Sequence, residues 1–203
     1  MSEPQDWPAV DMAETLRRLT APGAPFEMHT VEVGGRTVRA YVAAVPHMRA
    51  VFDASRAYGR RDFLVYEGER LSFEAHWRAA TTLAHALVER FGVGKGDRVA
   101  VAMRNFPEWS VCAWATLAIG GVLVPLNAWE PGPALARMMA DSGARVAFAD
   151  EERLERLALH RAELPPLVAV RANGGPDSLE AILGNLADYA GLEPPPLPDP
   201  GLA

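Results

Sequence analysis

Apolar and polar positions change their rhythm partway along the chain. Asp11 to Leu19 has the spacing of a short helix. "HTVEVGGRTVRAYV" follows as two β-rich runs joined by Gly34-Gly35, and paired glycines supply the positive φ angles of a tight hairpin turn. "PHMRAVFDASRAYG" returns to helical spacing through Met48, Val51, Phe52, Ser55 and Tyr58, and stops at Gly59, a suitable C-terminal cap. "FLVYEGERLSF" predicts a second hairpin, turning near Glu67-Gly68. Ser72 then caps a helix with Glu74 in its first turn. Phe73, Trp77, Ala80, Ala84, Leu87, Val88 and Phe91 recur in steps of three and four, which turns one face of that helix toward a core.

Beyond this point short strands alternate with longer helices. The strands are "RVAVAM", "GVLVPL", "RVAFA" and "LVAV"; the helices are "PEWSVCAWATLAIG", "PALARMMADSG", "DEERLERLALHRAEL" and "DSLEAILGNLADYAG". The strands are continuous apolar runs, as expected of strands buried on both faces. The predicted class is α/β: a parallel sheet flanked by helices on both faces, with right-handed crossovers and β-hairpins in the N-terminal third. Three regions follow. Residues 1–60 form a preamble with a helix and a hairpin, and 61–190 form the α/β subdomain. Residues 191–203, with five prolines in "GLEPPPLPDPGLA", form an extended linker without a core of its own. A domain that closes in such a linker reads as part of something longer.

Composition narrows the partners. The net charge is −6 and there is no Lys/Arg tract, which argues against nucleic acid and against an anionic membrane surface. Cys112 is the single cysteine, so no internal disulfide is possible, and its apolar surroundings predict a buried, inert thiol. "MSEPQDWPAV" lacks the basic and apolar regions of a signal peptide. The most apolar run, Val111 to Leu126, is broken by glycines and a proline and is too short to span a bilayer. The expectation is a cytoplasmic chain without a transmembrane segment.

"FGVGKGDRVAV", Phe91 to Val101, has the glycines and lysine of a phosphate-binding loop but the wrong order. Such loops run strand, loop, helix, so that the ligand meets the free N–H groups of the following helix. Here a helix precedes and a strand follows, and Lys95 is followed by Gly96 where a Walker loop needs Ser or Thr. The stretch reads as a helix cap at Gly92 and a turn into the first parallel strand. A dinucleotide fold would need a glycine-rich loop after "RVAVAM", yet "RNFPEW" stands there. His29, His47, His76, His85 and His160 are scattered; His76 and His85 share a helix but point to opposite sides, which suits packing or surface roles better than a metal. "DEERLER" reads as a helix start that suits the dipole and solvent.

In open α/β sheets, ligands sit beyond the C-terminal ends of the strands. That edge carries Arg104 and Asn105, then Asn127 and Trp129, then Asp150, then Arg171 and Asn173. Asn105 and Asp150 each have a simpler role as helix caps; as a set these residues mark the ligand-facing edge, with Asn105, Asn127 and Trp129 as its candidates. The helix 107–120 is apolar nearly all round, with Glu108 its only charge, and should lie buried between layers.

These segments together resemble the N-terminal part of the adenylate-forming acyl-CoA synthetases (AMP-binding, fatty-acyl-CoA ligases). The pieces are "GVGKGDRVAV", the "N-x-PEW" helix start, the "G-x-x-x-VPLN" strand and "DSGARV", in order and spacing, over residues 60 to 155 and more loosely over 1 to 60. The preamble and "PLNAW" lean toward the fatty-acyl branch. The resemblance implies ATP and Mg²⁺, which convert a fatty acid or other carboxylate to an acyl-adenylate, and CoA, whose thiol takes the acyl group. The family's phosphate loop, ending in Pro-Lys-Gly, is missing here, as are its adenine and ribose motifs and the catalytic lysine of its C-terminal domain. No catalytic residue carries over. The implied reading is an N-terminal portion of the ligase, inactive alone and lacking the later subdomains that would be its partners. Uncovered apolar surface would make it self-associate, and CoA or an acyl chain is expected near Asn127–Trp129. The competing reading is an autonomous α/β interaction or ligand-binding module without catalysis.

Overall fold

The computed structural model describes residues 11–173, 175–186, 189, 193, 196 and 197. They gather into two compact units that divide between Pro46 and His47. In the first, α1 (Met12–Thr20) is capped by the Asp11 carboxylate, which accepts from the N–H groups of Ala13 and Glu14 at 2.9 and 3.1 Å. β1 (Met28–Val33) and β2 (Arg36–Tyr41) pair antiparallel, with Val33 opposite Arg36. Gly34 and Gly35 turn between them at φ 55° and 75°, both in the left-handed region that the predicted hairpin requires.

The second unit starts with α2 (Met48–Ser55), which the sequence pattern grouped with the preamble. Its Phe52 is 1% exposed and belongs to the core of this unit. A 3-10 turn and Gly59 lead into the hairpin of β3 (Asp62–Tyr66) and β4 (Glu69–Ser72). Ser72 then caps α3 (Phe73–Glu89), its Oγ accepting from the Ala75 N–H at 3.1 Å.

The sheet follows the predicted alternation: β5 (Arg98–Ala102), α4 (Pro107–Ala118), β6 (Val122–Pro125), α5 (Gly132–Ser142), β7 (Val146–Asp150), α6 (Glu151–Leu157), β8 (Leu167–Val170) and α7 (Leu179–Leu183). The strand order is β6-β5-β7-β8, all parallel. Period-two alternation sorts the side chains between two cores. Val99, Val101, Val146, Phe148, Val168 and Val170 face α2, α3, α4 and α7, whereas Ala100, Ala102 and Ala147 face Leu135, Ala136 and Met139 of α5 and Leu157 of α6. Each fully buried Leu, Val or Phe here contributes roughly 1.5–3 kcal/mol of transfer free energy.

Two predicted helices are shorter than their patterns. α6 stops at Leu157 and continues as a 3-10 turn to Glu163. α7 stops at Leu183 because Gly184, at φ 77°, turns the chain out of the helix; Asn185 and Leu186 are not helical. Most of the proline-rich segment lies outside the described residues. Of its described members, Glu193 pairs with Arg56 at 2.6 Å and Arg78 at 3.3 Å, and Leu197 is buried, its carbonyl accepting from Arg49. These residues therefore pack on the second unit rather than standing off as a spacer.

The glycine-rich stretch is the turn that its order implied. Gly92 leaves α3 at φ 62°, while Gly92 and Val93 N–H groups bond the carbonyls of Val88 and Leu87. The Gly94 N–H donates to the Asp97 carboxylate and the Gly96 N–H to the Gly120 carbonyl, so these amides are spent on the fold. His76 is buried, with Nε2 3.0 Å from Ser110 Oγ and its ring edge-on to Phe52 and Phe63. Burial lowers its pKa to about 4, against the Ser110 hydrogen bond. Cys112 is fully buried and its thiol is pushed well up by burial, as expected of an inert cysteine.

Candidate functional site

β5 and β6 are neighbours, so the chain leaving their C-terminal ends forms two walls of one cleft. A cavity of about 450 Å³ lies between them, lined by Met103–Phe106 and Trp109 from the β5 side, Pro125–Trp129 from the β6 side, and Tyr66 of β3. It brings together Arg104, Asn105, Asn127 and Trp129. Asp150, Arg171 and Asn173 lie around neighbouring hollows instead.

Local chemistry shapes each wall. Asn105 does not cap α4. Pro107 occupies the first turn and forces the residue before it into an extended conformation, so the cap position falls on Phe106 (φ −80°, ψ 158°), without a side-chain cap bond. Asn105 remains exposed on the cavity lining. Asp150 does cap α6, accepting from the Arg153 N–H at 3.1 Å, and its other oxygen accepts from the Arg104 N–H at 3.0 Å. This second bond ties the loop after β5 to the end of β7.

The loop after β6 is held from beneath. Asn127 Oδ1 accepts from the Trp129 N–H at 3.2 Å, and Nδ2 donates to Glu130 at 2.8 Å. Arg153 Nε donates to the Ala128 carbonyl at 2.6 Å, and Arg156 donates to the carbonyls of Ala128 and Glu130. Arg153 also pairs with Asp150 at 3.2 Å and Glu152 at 2.9 Å, and its guanidinium carbon lies 5.5 Å from the Trp129 ring centroid. The result is an indole 72% exposed on a loop whose backbone is tied down. Arg153 itself is 0% exposed, which corrects the reading of "DEERLER" as a solvated charge pattern. A buried guanidinium needs several acceptors, and two carboxylates and a carbonyl converge on it only in the folded chain.

A second ionic cluster stands behind the Tyr66 and Phe106 wall. Arg171 forks onto Glu69 at 2.5 and 3.0 Å and donates Nε–H to Glu108 at 2.9 Å. Burial pushes the Glu108 carboxyl up, against hydrogen bonds from its own amide and from Arg171. Burial acts to lower the Arg171 pKa, but the hydrogen bonds and charges of Glu69 and Glu108 outweigh it and hold the group above its ordinary value. Sequence reasoning singled out both Glu108 and Arg171 but did not join them. The one signal was a lone carboxylate on an otherwise apolar helix, which implies a buried counter-ion.

The cavity offers hydrogen-bonding groups (Arg104, Asn105, Asn127) among aromatic and aliphatic surface, a combination suited to a mostly apolar ligand with a few polar or anionic groups. Its donor set does not suit a nucleoside triphosphate with its metal. The loop after β5 has no glycine to let phosphates approach, and no carboxylate is among the described residues that line the cavity to share a metal with them.

The sequence profile of the AMP-binding enzyme family matches residues 51–200, which include both walls of the cavity. The chain belongs to the AMP-binding enzyme family. Its relatives include a medium/long-chain-fatty-acid–CoA ligase of Mycobacterium tuberculosis, 30% identical over 106 residues, and a 3-hydroxybenzoate/4-hydroxybenzoate–CoA ligase of Thauera aromatica, 36% identical over 100 residues. The matches take in 52% and 48% of this chain but only 18% and 19% of those relatives. Among solved structures, a coronafacic acid ligase from Pectobacterium brasiliense shares the fold at a TM-score of 0.61 and 18% identity, over 71% of this chain and 30% of its own. The family match spans the parallel sheet and leaves the unit ending at Pro46 outside it. Among the described residues no helix is long and apolar enough to cross a membrane.

Proposed function

We propose that this chain is the N-terminal α/β portion of an ATP-dependent acid–CoA ligase, and that its cavity receives part of CoA or of the acyl group. One observation carries the reading: the family match covers the sheet whose C-terminal edge opens into that cavity. In the proposed parent reaction ATP and Mg²⁺ activate a fatty acid or other carboxylate as an acyl-adenylate with release of pyrophosphate, and the CoA thiol then displaces AMP. The described residues lining the cavity do not fit the triphosphate or its metal, so in this reading the cavity supplies binding surface rather than the activating step. Arg104 and the amides of Asn105 and Asn127 are suited to anionic and carbonyl groups, and Trp129 is suited to stacking a flat ring or covering an alkyl chain.

Two measurements test this. ATP–pyrophosphate exchange with fatty acids and aryl acids should stay at background with this polypeptide; measurable exchange would show that it carries out the activation after all. CoA and a medium-chain fatty acid are then titrated by calorimetry against the wild type and Trp129→Ala. Binding of either that is weakened by the substitution is expected, and binding of neither would remove the cavity from the reading.

A further inference from the structure

Arg171 lies at the end of β8, two strands away from the cleft between β5 and β6, and it does not line the cavity. Its guanidinium nevertheless reaches the back of the aromatic wall, 5.3 Å from the Tyr66 ring centroid and 4.9 Å from that of Phe106. Those rings meet edge to face at 5.7 Å, and both line the cavity. A cation held close to two rings favours their mutual orientation, and a planar fork can be fixed there by two carboxylates at once, which an ammonium matches only as a point charge.

The anchor is itself built against strain. Arg171 has φ 50°, a left-handed conformation that a non-glycine residue adopts at a cost. Its backbone N–H donates to Glu180 of α7 at 2.6 Å, and its side chain is shared between Glu69 of β4 and Glu108 of α4. One residue thus gathers a hairpin, two helices and a strand end behind two rings. A surface ion pair would not need this convergence.

We propose that Arg171 is a positioning residue, which sets the placement of the Tyr66–Phe106 wall and thereby the width of the cavity that ligands enter. That the cavity takes CoA or an acyl group rests on the function proposed above; the positioning itself does not. Glu69 and Glu108 fix the guanidinium, the guanidinium fixes the rings, and the rings bound the cleft. A ligand that touches Tyr66 or Phe106 would sense Arg171 without touching it.

The test uses 3-fluorotyrosine labelling and fluorine NMR. The chain has four tyrosines, so Tyr66→Phe assigns the Tyr66 resonance. Arg171→Gln should shift or broaden the Tyr66 resonance while leaving that of Tyr41 in place. Glu69→Gln, which keeps the arginine but removes an ionic anchor at a half-exposed site, should move Tyr66 in the same direction and serves if Arg171→Gln does not fold. Arg171→Lys should fail to restore the wild-type position. In parallel, affinity for whichever of CoA and a medium-chain fatty acid the wild type binds should fall about tenfold in Arg171→Gln. A Tyr66 resonance unmoved by the glutamine variants, or restored by lysine, overturns the proposal. If the wild type binds neither probe, the functional reading fails, and the resonance still decides whether Arg171 positions the wall.

Discussion

Acidification should destabilise this protein through His76. The imidazole sits between Phe52 and Phe63 with Ser110 as its hydrogen-bond partner among the described residues, and it is 2% exposed. Burial opposes the charged ring, so its pKa falls from 6.5 to about 4. An unfolded chain takes up the proton below 6.5, whereas the folded chain refuses it until about 4. The contribution of this group is therefore complete above pH 6.5 and is lost as the pH falls toward 4. At about 1.4 kcal/mol per pH unit the full effect is roughly 3 kcal/mol, of which about 2 kcal/mol is already gone at pH 5. Urea unfolding of the wild type and of His76→Gln at about pH 7 and about pH 5 isolates the contribution of His76, since other titrating groups are common to both proteins. Glutamine retains a partner for Ser110 but cannot titrate. The wild type should lose about 2 kcal/mol more than the variant over this interval. Equal losses would mean that the buried ring does not resist protonation, and would refute the reasoning.

Three further outcomes are expected. Gly132→Ala would drive a Cβ into the Arg156 carbonyl oxygen, far inside van der Waals contact, and should cost about 1–3 kcal/mol in urea unfolding despite alanine's better helix propensity; an unchanged or raised stability would show that α5 and α6 yield freely. Arg153→Met leaves the buried Asp150 without its cation and the Ala128 carbonyl without its Nε donor; a loss of about 3–5 kcal/mol is expected, whereas Arg17→Ala on the exposed face of α1 should change little. Self-association is expected through the apolar surface around edge strand β6 and Trp129, where Val122 is 45% and Trp129 72% exposed; light scattering that stays at the monomer mass as concentration rises would count against it.

Local pattern was enough for the elements and the sheet. Continuous apolar runs in β5, β7 and β8 reported burial on both faces, and Ser72 and Asp150 act as caps because capping depends on neighbours three residues away. The same logic explains why "FGVGKGDRVAV" could be read as a turn: the order of helix and strand is written in the chain. Local pattern also placed Asn105, Asn127 and Trp129 on one edge. It could not give Asn105 its role, because Pro107 moved the cap position to Phe106. The partners of Arg153 and Arg171 were beyond it. Arg171 meets Glu69 across 102 residues and Glu108 across 63, and Arg153 meets the Ala128 carbonyl across 25. Hydrophobic periodicity registers only whether a position tends to be buried. Which buried charges find each other depends on strand order and helix packing, and those tertiary contacts built the walls of the cavity.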